Sequence, residues 1–453
     1  MKALWFQTAL LPPGWANGVR IEHLDGHITR IEVGAQPRPG DERGAVALPG
    51  LPNLHSHAFQ RGMAGLAETR GPSDDSFWTW REVMYRFLDH LTPDDVEAIA
   101  ALAYAEMLEA GFTRVGEFHY LHHDADGRAY TDTAEMAGRI AAAAETTGIG
   151  LTLLPVFYAH GGFGGAPPSP AQRRFLNDVD SFARLVVACR GHLSGLPDAN
   201  LGVAPHSLRA ATPEQLTRIM PLAGDGPVHI HIAEQMREVH DCLAWSGRRP
   251  VDWLLDNTGV DARWCLVHAT HMTETETVRL AVSGATAGLC PITEANLGDG
   301  VFPAARFLDE GGAFGIGSDS NVLIDAAEEL RLLEYGPRLT RQARNVLAAQ
   351  GRPSTGASLF DAVLSGGARA LGQGPAGLVV GALADIVALD VEHPSMICRS
   401  GDALLDAWIF AARGGAVERV WRGGRKVVEG GRHVSKDAIA RRYRQTLTKV
   451  LSA

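Results

Sequence analysis

Lysine is almost absent from this sequence. Of its 42 basic residues, four are lysines, namely Lys2, Lys426, Lys436 and Lys449. The other 38 are arginines, a bias typical of a whole genome rather than of one site. Because no lysine lies between residues 3 and 425, no chemistry in the central region uses a lysine amine.

Cysteine is scarce as well. The five cysteines are odd in number and widely spaced, without a Cys-x-x-Cys pair, which is typical of reduced thiols in a cytoplasm rather than of a disulfide framework. No apolar run is long enough to span a membrane, and the start MKALWFQTALLPPGW lacks the basic region and long apolar centre of a signal peptide. We therefore expect a cytoplasmic protein that binds no membrane.

Positive charge is in deficit, since the formal net charge at pH 7 is −10. Non-specific nucleic-acid binding needs a basic surface, so we expect no nucleic-acid partner. The same overall charge does not attract anions, so an anionic substrate would depend on locally placed arginines. A hydrophobic content of 45% is ordinary for a globular protein with a sizeable core.

Short apolar runs rich in strand-forming residues recur through the middle of the chain, each followed by polar residues and then by a stretch with helical spacing. The runs are residues 45–57, 112–120, 150–158, 200–207, 227–234, 264–270, 285–292 and 312–320. Eight strands alternating with helices over about 300 residues predict an α/β fold, the (β/α)₈ TIM barrel. A doubly wound open sheet is the alternative, but eight regular units favour closure.

The two ends of the chain differ from the middle. Both hold short alternating segments separated by Gly and Pro, as β hairpins would. We predict that residues 1–47 and 373–453 pack together as a small β domain beside a barrel of residues 48–372. The Gly- and Pro-rich loop at residues 160–173 is a candidate lid over one barrel end.

Metal-binding and acid–base side chains fall at the ends of these runs. His55 and His57 end the first run and, two residues apart on a strand, point to the same face. Similar groups end the fifth, sixth and eighth runs or follow them directly, namely His231, Glu234, His268 and Asp319. Because the carboxyl ends of barrel strands meet at one mouth, these residues predict a shared site.

Three neutral imidazoles and one carboxylate, from His55, His57, His231 and Asp319, are good ligands for Zn²⁺ and acceptable ones for Fe²⁺. Such an ion lowers the pKa of bound water towards about 7. The lysine-free centre excludes a carbamylated-lysine bridge, and the third run ends VFYAH without an acid, so we predict one divalent metal. His229, flanked by apolar residues, is expected to be a core histidine.

Several stretches carry a resemblance to a known family. LPGLPNLHSH, HIAEQ, LVHAT and GIGSDS, with GLVVGALADIVALD in the tail, resemble the amidohydrolase superfamily over nearly the whole chain. The pattern His-x-His, His-x-x-Glu, His and Asp resembles its mononuclear deaminases, of the cytosine and guanine deaminase type. HSHAFQRGMAGL, EFHYLHH, GVAPHSLRA and PITEANLGDG are similar to the formimidoylglutamate deiminases of histidine degradation.

The resemblance implies a metal-dependent barrel with a small β-sandwich, a small-molecule substrate and a homodimer. It also implies hydrolysis of N-formimidoyl-L-glutamate to N-formyl-L-glutamate and ammonia. The alternative is a deaminase of a pterin or nucleobase-like heterocycle that uses the same mononuclear site. A scaffold protein that has lost catalysis is a third reading, which the intact set of strand-end residues disfavours.

The implied substrate carries two carboxylates and no ring, so its pocket needs guanidinium and hydroxyl donors near the strand ends. Residues of this kind that we expect to bind it are Gln60, Arg81, Tyr120, His206 and Arg209. Trp78 and Trp80 are expected to pack, and Ser320 to support Asp319.

The catalytic roles follow from the same resemblance. Glu234 is expected to deliver a proton to the nitrogen that leaves. His268 is expected to stabilise charge at the tetrahedral centre, and Asp319 to accept a proton from the attacking water.

Overall fold

The computed structural model describes residues 2–70 and 76–452. The chain begins with four strands, β1 (Lys2–Leu11), β2 (Gly14–Leu24), β3 (His27–Glu32) and β4 (Glu42–Pro49). The central strands are β5 (Leu51–Ser56), β6 (Phe112–His119), β7 (Gly150–Phe157), β8 (Asn200–Leu201), β9 (Ala204–Pro205), β10 (Val228–Ile232), β11 (Trp264–His268), β12 (Thr286–Leu289) and β13 (Ala313–Ile316). The last strands are β14 (Ile386–Leu389), β15 (Val417–Arg422), β16 (Arg425–Glu429) and β17 (Arg432–His433).

Helices connect the central strands. They are α1 (Phe77–Leu88), α2 (Pro93–Glu109), α3 (Glu135–Thr147), α4 (Val179–Leu193), α5 (Pro213–Ile219), α6 (Met236–Ser246), α7 (Pro250–Asn257), α8 (Glu274–Val282), α9 (Pro291–Leu297), α10 (Ala304–Asp309), α11 (Ala326–Arg341) and α12 (Thr355–Ala370). Two more, α13 (Asp402–Phe410) and α14 (Lys436–Leu451), lie in the tail. Polar side chains cap the amino-terminal ends of two of these helices. Thr273 caps α8 and Asp325 caps α11 by accepting hydrogen bonds from backbone N–H groups of the first turn.

The central strands close into a barrel. β5 to β8 form one parallel ladder, in which β9 extends the short fourth strand, and β10 to β13 form a second ladder. Parallel bridges join the two ladders at both seams, Val203 with Val228 and Ser56 with Asp319. Each of the eight predicted runs contributes a barrel strand, so the predicted (β/α)₈ barrel is confirmed. The first run divides: its amino-terminal part is the end of β4, and the barrel begins at Leu51.

Strands from both ends of the chain form one eight-stranded sheet, in the order β17-β16-β15-β14-β4-β1-β2-β3. The ends meet where β14 pairs antiparallel with β4, with Ile386 opposite Pro49. The sheet encloses a core of its own that includes Phe6, Ile21 and Trp421. The predicted β domain built from both ends is thereby confirmed.

The predicted limits of the two domains stay predictions. The C-terminal helix does not fall cleanly into either domain. α14 packs along the barrel helix α2, to which Lys449 is joined by an ion pair with Asp95 (2.6 Å). The tail therefore contributes to the surface of the barrel as well as to the end sheet. Within residues 2–70 and 76–452, no helix has the length and apolar character needed to cross a bilayer.

A buried ion cluster joins the end sheet to the barrel. Arg422 of β15 donates to the carbonyl of Thr113 (3.0 Å) and pairs with Asp385 (3.1 Å) and with Asp198. Arg114 of β6 also pairs with Asp198. Removing one member of such a cluster leaves the opposite charges buried without compensation, which is more costly than the net worth of the pair.

We therefore expect Arg422→Ala to lower the free energy of unfolding by about 3–5 kcal/mol. Denaturant-induced unfolding followed by circular dichroism measures this change. The control is Arg432→Ala, which removes an exposed arginine paired with Asp437 and should leave the unfolding midpoint unchanged. Equal midpoints for the two variants would show that the buried cluster does not stabilise the junction.

Candidate active site and metal centre

Three histidines and one aspartate converge at the carboxyl end of the barrel. His55 and His57 lie at the end of β5, His231 lies on β10 and Asp319 follows β13. All four are buried, and one ligand atom from each lies within 4.8 Å of the others. His55 Nε2 lies 3.2 Å from His57 Nε2 and 3.0 Å from His231 Nε2, and Asp319 Oδ1 lies 3.2 Å from His57 Nε2.

Hydrogen bonds determine which ring nitrogens of two histidines face the cluster. His57 Nδ1 lies 2.9 Å from the carbonyl oxygen of Phe118, and His231 Nδ1 lies 3.1 Å from that of His206. A carbonyl only accepts, so each Nδ1 carries the proton and each Nε2 presents a lone pair to the cluster.

Lone pairs that face one another at 3 Å repel unless a cation lies between them. Burial lowers the pKa of His55 to about 3 and that of His231 well below its usual value, so protonation does not relieve the repulsion. Three nitrogen donors and a carboxylate that converge in this way fit a divalent metal ion.

A second group of possible metal ligands lies beside the first and shares Asp319 with it. Ligand atoms of His268, Cys290 and Asp319 are also within 4.8 Å of one another. Burial raises the pKa of the Cys290 thiol well above its usual range, which makes it a poorer ligand because metals bind the thiolate. The four-residue set is therefore the better candidate metal site, and the number of ions stays a prediction.

Asn321 locks the aspartate to the first strand, a role that the sequence did not indicate. Its side-chain amide donates to Ser56 Oγ (3.1 Å) and to the carbonyl oxygens of His57 (3.1 Å) and Asp319 (3.0 Å). Asp319 and Asn321 both have positive φ, +44° and +55°. Such backbone strain persists at functional sites where the surroundings hold it in place.

Glu234 and His268 face the metal ligands. His268 Nε2 lies 3.9 Å from Glu234 Oε1 and 3.8 Å from Asp319 Oδ2. Burial raises the pKa of Glu234 to about 7, so its carboxyl group exchanges a proton near neutral pH. Burial alone would lower the pKa of His268, but the carboxylates of Glu234, Glu294 and Asp319 outweigh it and raise this pKa to about 10.

Two arginines predicted to bind substrate reach the same pocket. Arg81 extends from α1 and Arg209 from the loop after β9. Arg209 has a distant ion pair with Glu238 (3.8 Å), and both guanidinium groups lie over the ring of Trp78, at 4.5 and 5.9 Å. Neither Nε has a hydrogen-bond partner within the part of the chain that the structure describes. Buried donors without partners indicate a polar ligand.

The other three predicted substrate residues also line this pocket. Gln60 Nε2 donates to Tyr120 Oη (2.8 Å), which joins the first strand-end loop to the second. The ring of His206 packs against Tyr158 at 4.6 Å, while its carbonyl orients the metal-ligand candidate His231.

The cover of the pocket differs from the predicted lid. α1 contributes Phe77, Trp80, Met84 and Tyr85 to the lining, whereas no residue of the 160–173 loop lines it. In that loop Phe163 stacks on Trp245 at 5.5 Å instead. In this structure α1, and not the 160–173 loop, covers the pocket, while a lid role of that loop stays a prediction. Trp80 stacks with Phe77 at 6.0 Å and also lines the pocket. How a connecting segment crosses a barrel mouth depends on tertiary packing, which no local pattern encodes.

Three further polar residues lie around the site. His229 Nε2 donates to the carbonyl of Ala370 (2.7 Å), and burial lowers its pKa to about 4, as expected of a neutral core histidine. Ser320 Oγ lies 2.9 Å from Thr293 Oγ1, beside Asp319. Glu294, which the sequence did not single out, contacts the far side of His268.

The family of the chain follows from sequence comparison. The amidohydrolase family model matches residues 46–427, and the model described as "Formimidoylglutamate deiminase HutF, N-terminal domain" matches residues 1–45. The chain belongs to the amidohydrolase family. Its resemblance to the formimidoylglutamate deiminases is also confirmed, since the enzyme of that name from Pseudomonas aeruginosa is 52% identical over 453 residues, 100% of both chains.

Solved structures agree with this assignment. A crystal structure of an amidohydrolase from Brucella melitensis is 58% identical, with a TM-score of 0.97 and 100% of both chains covered. An adenosine deaminase from Xanthomonas campestris with bound zinc shares the fold, at 23% identity and a TM-score of 0.81, over 100% of this chain and 98% of its own. The predicted hydrolytic deaminase is confirmed by the family match and by the Pseudomonas aeruginosa relative, while the roles of individual residues stay predictions.

Proposed function

We propose that this protein hydrolyses N-formimidoyl-L-glutamate to N-formyl-L-glutamate and ammonia, as in histidine degradation. The observation that carries the proposal is the 52% identity to a formimidoylglutamate deiminase, over 100% of both chains. The pocket chemistry supports it. Arg81 and Arg209 line the same pocket as the metal-ligand set, and within residues 2–70 and 76–452 their Nε groups have no hydrogen-bond partner. The substrate brings two carboxylates that such groups can bind.

The metal in this proposal is zinc. Three imidazole nitrogens and a carboxylate suit Zn²⁺, with Fe²⁺ as the alternative, and the adenosine deaminase of the same fold has bound zinc. Such an ion lowers the pKa of the water it binds and supplies a nucleophile at neutral pH. The predicted homodimer and the cytoplasmic location belong to the same proposal.

Binding is assigned to the arginines and to the Gln60–Tyr120 pair. Arg81 and Arg209 bind the two carboxylates, because a guanidinium group donates two parallel hydrogen bonds to a carboxylate. Gln60 and Tyr120, which hydrogen-bond to each other beside His57, orient the formimidoyl end towards the ligand set.

The proposed reaction adds one water to the formimidoyl carbon and expels one ammonia. Asp319 accepts one proton of the water during attack and passes it to the amino group as the tetrahedral centre collapses. Glu234, whose pKa is about 7, protonates the nitrogen during attack and takes up the proton of the tetrahedral hydroxyl during collapse, so both carboxyl groups return to their starting states. His268, cationic at neutral pH because its pKa is about 10, stabilises the charge that develops on oxygen at the tetrahedral centre.

The decisive experiment is ammonia release from N-formimidoyl-L-glutamate by zinc-loaded protein, with EDTA-treated protein as the control and 5′-methylthioadenosine as a second substrate. The heterocycle is included because a 5-methylthioadenosine/S-adenosylhomocysteine deaminase from Natronomonas pharaonis is 28% identical over 88% of this chain and 85% of its own. We expect metal-dependent release from the amidine and none from the heterocycle. Ammonia release from 5′-methylthioadenosine alone would contradict the proposal and indicate a deaminase of heterocycles.

Arg81→Met should raise KM by about 10- to 100-fold, because a hydrogen bond to a charged group is worth about 1.5–3 kcal/mol. The variant keeps the length of the side chain and removes its charge. Arg86→Met is the matched control, because Arg86 lies on the same helix α1 but is exposed and does not line the pocket. Steady-state kinetics measure both. An unchanged KM for Arg81→Met would remove Arg81 from the binding site.

A further inference from the structure

Glu294 is a buried glutamate on α9, with 5% of its surface exposed. Its Oε1 lies 3.2 Å from His268 Nδ1 and accepts a hydrogen bond of 3.0 Å from the backbone N–H of Cys290. The carboxylate is therefore held at the start of α9 and contacts the Nδ1 edge of the His268 ring, while Nε2 lies near Glu234 and Asp319.

His268 needs an external support. Its backbone has φ of +68°, and that of the next residue, Ala269, is +48°. Non-glycine residues persist in this region of φ and ψ only where their surroundings hold them. Because a carboxylate accepts and does not donate, the contact with Glu294 places a proton on Nδ1 of His268 and directs Nε2 to Glu234 and Asp319.

We propose that Glu294 is a positioning residue that holds His268 with Nε2 towards the substrate. The inference rests on the proposed function, in which His268 acts on the tetrahedral centre. Partners of this kind, behind a functional histidine, set the orientation of the ring. Glu294 itself does not line the pocket, so its loss should lower kcat and leave KM nearly unchanged.

The competing role for Glu294 is purely structural, as a cap for α9. Glu329 of α11 supplies a matched control for that role. Its Oε2 accepts a hydrogen bond of 2.9 Å from the N–H of Ile292, in the first turn of the same helix, and it is fully buried. In the described part of the chain Glu329 forms no hydrogen bond with His268.

The test compares Glu294→Ala, Glu294→Gln and Glu329→Ala in zinc-loaded protein with N-formimidoyl-L-glutamate as substrate. We expect Glu294→Ala to lower kcat by about 10- to 100-fold, with KM and metal content within about twofold of the unaltered protein. Glu294→Gln keeps an acceptor oxygen and should restore most of the lost kcat. Glu329→Ala should change kcat by less than about twofold.

Equal losses in Glu294→Ala and Glu329→Ala, or an unchanged kcat in Glu294→Ala, would overturn the proposal. If Glu294→Ala does not fold, Glu294→Leu replaces it, because leucine fills the volume of the side chain and removes the acceptor for His268 Nδ1. An unchanged kcat in Glu294→Leu would also overturn the proposal.

The ring itself gives a readout that does not depend on the substrate. In protein labelled with ¹⁵N-histidine, with His268 assigned by its loss in His268→Asn, we expect the Nδ1 signal to shift in Glu294→Ala, because Nδ1 loses its hydrogen-bond acceptor. Failure of the proposed function appears differently, as metal-loaded protein that releases no ammonia yet shows the expected ring signals. Ring signals that do not respond to Glu294→Ala would contradict the positioning role whatever the substrate.

Discussion

Glu234→Gln should produce a folded protein that retains its metal and releases ammonia about 10²- to 10⁴-fold more slowly, the usual contribution of a general acid–base group. Glutamine keeps the volume of the side chain and one acceptor oxygen, but it transfers no proton. Glu234 lies 3.9 Å from His268 Nε2 and is not in the metal-ligand set, so the loss should fall on turnover and not on metal content. Ammonia release per bound metal measures it.

Glu276→Gln is the control for this experiment. Glu276 is equally buried but lies outside the pocket, where it pairs with Arg249 (2.6 Å) and accepts hydrogen bonds at the start of α8. Its turnover per bound metal should stay within about twofold of the unaltered protein. Unchanged turnover in Glu234→Gln would refute the acid–base role, and a large loss in both variants would point to a general effect of removing buried charge.

His231→Ala should lose metal and turnover together. His231 supplies one of the three imidazoles in the metal-ligand set. Without it, two imidazoles and the Asp319 carboxylate remain, which is one protein ligand fewer than the set provides. We expect metal affinity to fall by about 100-fold or more, since even the partners behind a ligand contribute about 10- to 100-fold. Metal content after dialysis and ammonia release from the same sample measure the two losses.

His229→Ala is the matched control, because His229 lies two residues earlier on the same strand, β10, and points to the same face. It donates to the carbonyl of Ala370 and takes no part in the metal-ligand set. Its metal content per folded chain should match that of the unaltered protein. Retention of metal by His231→Ala, or its loss from His229→Ala alone, would contradict the assignment of ligands.

The barrel and its metal-binding residues were predictable because both depend on strand order. Eight apolar runs separated by helical stretches specify parallel strands, and parallel strands bring their carboxyl ends to one face. His55, His57, His231 and Asp319 meet for that reason, without any long-range information beyond closure of the barrel. The pairing of the chain ends was predictable from their shared hairpin pattern in the same way.

The cover of the pocket and the support of His268 were not predictable in this way. The sequence of α1 has an ordinary amphipathic pattern, so no local feature distinguishes a helix that covers the barrel mouth from one on the outside of the barrel. In the sequence PITEANL, Glu294 looks like an ordinary glutamate in the first turn of a helix. Its contact with His268 joins residues 26 positions apart, which no local pattern predicts. Such contacts arise from how neighbouring βα loops pack.

The sequence by itself determined the strand–helix alternation, the union of the two chain ends and which side chains meet as metal-ligand candidates, because each depends on local periodicity or on position relative to a strand end. Tertiary structure alone decided which ring nitrogens face the cluster, which helix covers it and which carboxylate stands behind His268. The physical reason is that hydrogen-bond partners of a buried group come from other elements, and their approach is set by packing of the whole barrel.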